Sequence, residues 1–190
     1  MKRVLGIDCS STTIGWSIID IDDNNEIHFF KCAYHKPLKT GSIIDRIAYT
    51  RDAFKKIMEE YKPDHISIEE IIQFMKGKST AKTIIMLTTF NRMLCLLAHD
   101  FLGHNPNLFS VMTIRHGLKT DKILPKKEEM PALVALHLGI TFPYEMNKKG
   151  AIKVESYDMA DGVAVGLYQA MLLTEKIKKK KAATTVKKKK

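Results

Sequence analysis

The sequence predicts a mixed α/β domain: a five-stranded sheet in the order βββαβαβαα, with helices on both faces. Three observations predict it. Residues 4–34 hold three apolar stretches joined by short polar turns, the pattern of an antiparallel meander. Two amphipathic or apolar helical stretches then alternate with two short strand-like ones. A strand reached through a helix should lie parallel to an earlier strand, by a right-handed crossover. Finally, Gly162-Val163-Ala164-Val165-Gly166 is small and apolar on nearly every side, so the helix that holds it must pack flat against something.

Taken in order, Val4-Leu5-Gly6-Ile7 is the first strand, closed by Asp8. Hydroxyl residues Ser10 to Thr13 turn the chain, and Ile14 to Ile21 returns as the second strand. Asp22-Asp23-Asn24-Asn25 has turn composition, and Glu26 to Tyr34 is the third strand. Lys36 to Ser42 contains Pro37 and Gly41 and reads as a loop. Ser42 is an N-cap for a helix with apolar positions at Ile43, Ile44, Ile47, Ala48, Phe54, Ile57 and Met58, ending before Pro63. His65 to Glu70 is a short strand.

From Ser79 to about Asp100 runs the most apolar helix. Its apolar arc exceeds the roughly 100° that a surface helix buries, which marks central core, subunit interface or both. Asn105-Pro106-Asn107 ends it, and Leu108 to Ile114 is the fifth strand. Arg115 to Lys127 is a basic loop, and Glu128 to Leu138 a short helix that tolerates Pro131 only in its first turn. Thr141 to Gly150 is a loop, and the last helix runs from about Ser156 through Leu173.

A chain of 190 residues is long enough for one domain with a substantial core, and 45% hydrophobic residues excludes a disordered protein. No uninterrupted apolar run reaches the roughly 18 residues of a membrane span, so no membrane partner is expected. Met1-Lys2-Arg3 leads directly into the first strand, so no signal peptide is expected. Three widely spaced cysteines, Cys9, Cys32 and Cys95, make a disulfide framework improbable and favour a reducing compartment. Residues 176–190 hold nine lysines and no acid, so of the net +10 only +1 belongs to residues 1–175. A basic fold cannot be argued from net charge; a basic tail can.

Gly77-Lys78-Ser79 invites a phosphate-loop reading, but that motif needs a glycine where this chain has Ile72, so no nucleotide cofactor is expected. Cys32 and His35 have no second pair to complete a zinc site.

The acidic residues carry the chemistry. An ionised carboxylate at the end of a buried strand, as at Asp8, needs a cation, a hydrogen-bond network or a raised pKa. A turn cap is the simpler role for one such residue alone. Yet the crossover would set the His65–Glu70 strand beside the first, bringing Glu69 or Glu70 to the same edge as Asp8, where open sheets place ligand sites. Asp158 and Asp161, three apart, share a face of the last helix's first turn, where the helix dipole also favours acids. Several acids converging at one edge would repel one another. Divalent cations relieve this, and oxygen-only ligands select Mg²⁺ or Mn²⁺ over zinc.

With these motifs assembled, Leu5-Gly6-Ile7-Asp8, Asp64-His65-Ile66-Ser67-Ile68-Glu69 and Asp158-Met159-Ala160-Asp161-Gly162, the chain resembles the RuvC-type Holliday junction resolvases of the RNase H-like superfamily. The resemblance covers about residues 2–175, with 176–190 as a lysine-rich tail expected to be flexible. It implies a Mg²⁺-dependent endonuclease, for which Mn²⁺ can substitute, that hydrolyses phosphodiesters in four-way DNA junctions by paired symmetric nicks. It also implies a homodimer. The acids would be Asp8, Glu69, Asp158 and Asp161, with Glu70 a competitor for Glu69. Strand alternation separates those two onto opposite faces. The resemblance further implies a catalytic lysine at Lys126 or Lys127, and an aromatic for junction bases at Phe74, where a core phenylalanine is the competing role.

Lys76 and Lys78 in one basic loop, and Arg115, Lys119 and Lys122 in the other, are candidates for DNA contact. Cys9, where relatives often have proline, and the tail point to a divergent phage or organellar-type member. Its expected location is the cytoplasm, at the nucleoid or a viral replication site, with the organellar matrix or host nucleus as alternatives. The rival functions are an RNase H-like nuclease acting on RNA–DNA hybrids or ribosomal RNA, and a junction-binding module without catalysis.

Overall fold

The computed structural model describes residues 1–71 and 80–176. Phe74, Lys76 and Lys78, and the lysine tail beyond Lys176, lie outside them. Strands β1 (Lys2–Asp8), β2 (Ile14–Ile21), β3 (Ile27–His35), β4 (His65–Glu69) and β5 (Asn107–Phe109) form one sheet in the order β3-β2-β1-β4-β5. The first three pair antiparallel, whereas β4 lies parallel to β1 and β5 parallel to β4. The expected parallel pairing is therefore present, and it sets the C-terminal ends of β1 and β4 side by side.

Alternation along the strands divides the core in two. Leu5, Ile7, Trp16, Ile18, Ile66 and Ile68 point to one face, where they pack with Phe54 and Met58 of α1 (Ile43–Tyr61) and Phe90, Leu94 and Ala98 of α2 (Ala81–Leu102). Val4, Ile19 and Ile21 point to the other face, against Met159, Val163 and Leu167 of α5 (Glu155–Leu173). Each large side chain so buried contributes about 1.5–3 kcal/mol. The same period of two sends Asp8, Ser67 and Glu69 to the α5 face and leaves Glu70 exposed.

At the entrance to α1 the expected Ser42 cap is a reciprocal box. Asp45 N–H donates to Ser42 Oγ, and Ser42 N–H donates to the Asp45 carboxylate. Pro131 falls in the first turn of α4 (Met130–Leu138), where its missing N–H costs nothing. At the far end of the sheet Arg3 donates through Nε and a terminal nitrogen to both oxygens of Asp20, at 2.7 and 2.8 Å, and to the Tyr61 carbonyl.

Two expectations, a fifth strand running to Ile114 and a loop beginning at Arg115, are corrected. The fifth strand stops at Phe109, and Val111–Leu118 is a helix, α3, not strand and loop. Ser110 caps it by accepting from Thr113 N–H, and Ile114 and Leu118, four apart, are its buried positions. Helix α2 has the length and mean hydropathy of a membrane span, although no uninterrupted apolar run announces it. It packs on α1 and β4 through one side, leaving Ile85 and Leu96 exposed.

Helix α5 approaches the sheet so closely that backbone meets backbone. A Cβ on Gly15 would overlap the carbonyl oxygen of Asp158, and one on Gly162 would come within 2.6 Å of the Gly15 carbonyl carbon. Only hydrogen fits at either position. Buried strand hydroxyls complete the contact: Ser17 Oγ donates to Gly162 O at 3.0 Å, and Ser67 Oγ to Val165 O at 3.4 Å. The helix that carries Asp158 and Asp161 is thereby seated on the strands that carry the other acids.

Candidate active site

Asp8, Asp158 and Asp161 present carboxylate oxygens that all lie within 4.8 Å of one another. The Asp158 and Asp161 side chains are only 13% and 12% exposed, too little for water to screen their repulsion. Glu69 lies outside that triangle but near enough for its charge to act on Asp8. Burial, and then the charge of Glu69, pushes the Asp8 carboxyl well above the ordinary range. Burial and the charge of Asp161 push Glu69 up to about 7, and burial is the main cause that lifts Asp161 to about 6. Acids gathered this closely favour a cation among them. The donor set is all oxygen and comes from three separate elements, which suits a hard divalent metal.

One cation is already present. Lys127 opens a short 3₁₀ turn (Lys127–Glu129) ahead of α4, and its Nζ lies 2.6 Å from Asp158 Oδ1 and 3.4 Å from Asp161 Oδ2. Burial opposes its charge, but the bond to Asp158 and the charges of Asp161 and Asp8 outweigh it and hold the ammonium protonated. Its neighbour Lys126 is exposed, and its backbone N–H serves the turn by donating to Glu129 Oε2. The structure therefore brings Lys127, not Lys126, to the acids.

Arg115, expected in a loop among DNA contacts, sits on α3 instead, where its charge draws down both Glu69 and Asp161. Its Nε is buried without a hydrogen-bond partner among the described residues. Sequence reasoning missed this placement because it depends on the phase of an unrecognised helix. Lys119 caps the end of α3, and Lys122 is exposed in the following loop; neither forms an ion pair with the four acids. A further positioning residue escaped notice: buried Asn91 of α2 donates to the Glu69 carbonyl at 2.9 Å, fixing the end of β4.

This geometry separates the two lysines experimentally. Lys127→Ala should lower metal-dependent turnover by roughly a hundredfold, the usual scale for one preorganised charge at a reacting centre. Lys126→Ala should leave turnover within about twofold, since only its backbone is engaged. Single-turnover rates at saturating enzyme would distinguish the two.

A sheet of this order, crossed by a helix that adds two acids to the pair at the ends of β1 and β4, defines an RNase H-like α/β protein with a carboxylate centre suited to a divalent metal. The sequence profile of the crossover junction endodeoxyribonuclease RuvC family matches residues 4–106, more than half of the chain, and the chain belongs to that family. A RuvC from Finegoldia magna is 35% identical over 85 residues, 43% of this chain and 49% of its own length. The chain is thus matched to about half of that relative.

Among solved structures, Thermus thermophilus RuvC in complex with a Holliday junction substrate superposes with a TM-score of 0.68 at 16% identity, covering 91% of this chain and 96% of that one. The yeast mitochondrial Holliday junction resolvase gives 0.63 at 16% identity, covering 92% and 81%. At these identities the two structures establish the fold.

Proposed function

We propose that this chain is a structure-selective endonuclease that resolves four-way DNA junctions by Mg²⁺-dependent phosphodiester hydrolysis, with Mn²⁺ able to substitute. The observation that carries this reading is the convergence of Asp8, Glu69, Asp158 and Asp161 in one largely buried cluster beside Lys127. Asp8, Asp158 and Asp161 would hold metal directly, with Glu69 completing the set. When bound, a pair of such ions supplies an activated water and neutralises charge at the leaving oxygen.

The protein's own groups do the rest. The seating of α5 on β1 and β2 fixes the spacing of the acids before substrate arrives. Lys127, whose ammonium lies beside Asp158 and Asp161, would stabilise the developing charge of a phosphate bound at the acids. The charge of Arg115 opposes the rise that burial imposes on Glu69 and Asp161 without cancelling it. Two symmetric cuts require two sites. The exposed Ile85 and Leu96 of α2 suit the apolar contact of a homodimer. The three unpaired cysteines, Cys9, Cys32 and Cys95, favour a reducing cytoplasmic or organellar location.

The test is cleavage of matched substrates: a synthetic four-way junction, the corresponding linear duplex and an RNA–DNA hybrid, with Mg²⁺ or EDTA. The expected result is paired nicks in the junction that need metal and vanish with Asp8→Asn. Preferential cutting of the hybrid would replace this reading with an RNase H-type activity. Tight junction binding without any cleavage would make the chain a binding module.

A further inference from the structure

The segment between α4 and α5 was expected to be a plain loop, yet its end forms a small, tightly bonded hairpin. Met146 and Ile152 pair across it. Asn147 N–H donates to Ala151 O, and Gly150 N–H to Asn147 O. The Asn147 side-chain oxygen accepts from both Lys149 N–H and Ala151 N–H. Gly150, at φ +76°, makes the left-handed step that closes the turn. At the root, Lys153 N–H donates to Glu145 O, Glu145 N–H to Ser156 Oγ, and Lys153 Nζ to Glu145 Oε2 at 2.8 Å. This much hydrogen bonding fixes what the tip displays.

The tip displays Lys148 and Lys149, both exposed and both without an acidic partner among the described residues. The other cations near the root are already neutralised: Lys153 pairs with Glu145, and Lys36 with Glu155. The root is placed by the sheet. Asp8 is paired with Gly15, and Gly15 with Tyr34, whose hydroxyl donates to Glu145 at 3.2 Å. At about 4.8 Å between strands, Tyr34 lies about 10 Å from Asp8 along the edge where the acids gather. The Tyr34 backbone is thus offset by about three base-pair steps at about 3.4 Å per step, and the hairpin root is reached through its side chain.

We infer that the 145–153 hairpin is a second anchor for nucleic acid, gripping through Lys148 and Lys149 the phosphate backbone of the duplex arm that flanks the scissile bond. This rests on the junction-cleaving function proposed above and adds to it a positioning surface outside the acid centre. Two free ammonium groups on a rigid support engage phosphates with little loss of conformational freedom in the support itself. A contact to phosphate reads no base edge, so it should be indifferent to sequence.

The experiment compares the full chain with Lys148→Ala/Lys149→Ala. The control, Lys55→Ala/Lys56→Ala, removes the same charge from exposed positions in α1. Binding to a synthetic four-way junction is measured in EDTA across a salt series, and cleavage in Mg²⁺ across a junction concentration series. The hairpin variant should lower the slope of log affinity against log salt by about 1.8, the counterions of two phosphate contacts. Its half-saturating junction concentration should rise, with turnover at saturation preserved. The α1 control should match wild type.

A hairpin variant whose slope equals that of the α1 control, while wild type binds and cuts the junction, would overturn the hairpin inference alone. So would an unchanged slope accompanied by an altered oligomeric state, which would make the hairpin a protein contact. A wild-type chain that neither binds nor cuts the junction would overturn the proposed function, and the anchor with it.

Discussion

Asp161→Asn should abolish metal-dependent cleavage while making the metal-free protein more stable. The loss should be on the order of a thousandfold or more, because the variant removes an anionic metal ligand while adding no compensating charge. The gain follows from electrostatics. Asp161 is held at about 6, so the folded state binds its proton more tightly than the unfolded chain does. For a carboxyl raised in this way, stability is greatest at low pH and falls as pH rises through the folded value.

Metal-free wild type should therefore lose stability between about pH 4 and 7, as Asp161 and then Glu69 are forced to ionise. Replacing Asp161 by Asn removes one of these costs and relieves Glu69, whose carboxyl it repels. The expected gain is roughly 1–3 kcal/mol at pH 8 in EDTA, a rise of several degrees in melting temperature for a chain of this size. Mg²⁺ should raise the wild-type midpoint and leave that of the variant nearly unchanged. Melts with EDTA or Mg²⁺ at pH 5 and pH 8, beside single-turnover cleavage, test every part. Cleavage within tenfold of wild type would remove Asp161 from the catalytic set.

Gly15→Ala should be the most damaging single methyl group in the protein. The new Cβ would collide with the Asp158 carbonyl oxygen, and helix α5 has no room to yield because Gly162 already rests on the backbone of Gly15 and Trp16. Overpacking of side chains commonly costs 1–3 kcal/mol. A backbone collision belongs at or above the upper end, so we expect a loss of about 3 kcal/mol or more and a fall of around 10 °C in melting temperature. Cleavage should fall too, since the displaced carbonyl belongs to a residue of the acid cluster. Gly103→Ala is the contrast: its φ is +74° but the space around it is open. It should cost about 1 kcal/mol and leave cleavage intact. A Gly15→Ala protein as stable as wild type would mean that the helix can ride higher on the sheet.

The first four strands and the three long helices were legible because each signals itself locally, by an apolar run, an alternation or a cap. Glu69 over Glu70 was also legible in principle, since Ile66 and Ile68 mark one face of β4 and the next odd position must take the other. Helix α3 was not. Leu108, Phe109, Val111, Met112 and Ile114 read as one strand, and the capping Ser110 that divides them is a single weak signal. With α3 misread, the placement of Arg115 toward the acids could not be seen. The choice between Lys126 and Lys127 was hidden for a related reason: the phase of one 3₁₀ turn decides it. The flat packing of α5 was foreseeable from Gly162 to Gly166, but its partners Gly6 and Gly15 lie some 150 residues away, beyond any local pattern.

The fork that Arg3 extends to both oxygens of Asp20 has a consequence at the other end of its strand. Were β1 to slide by one residue against β2, Asp8 would swing to the α1–α2 side and an isoleucine would enter the acid cluster in its place. A two-pronged latch closes in one alignment only, and Arg3 and Asp20 are direct partners in that alignment. Five residues from any chemistry, this pair sets which side of the ribbon the first carboxylate emerges on.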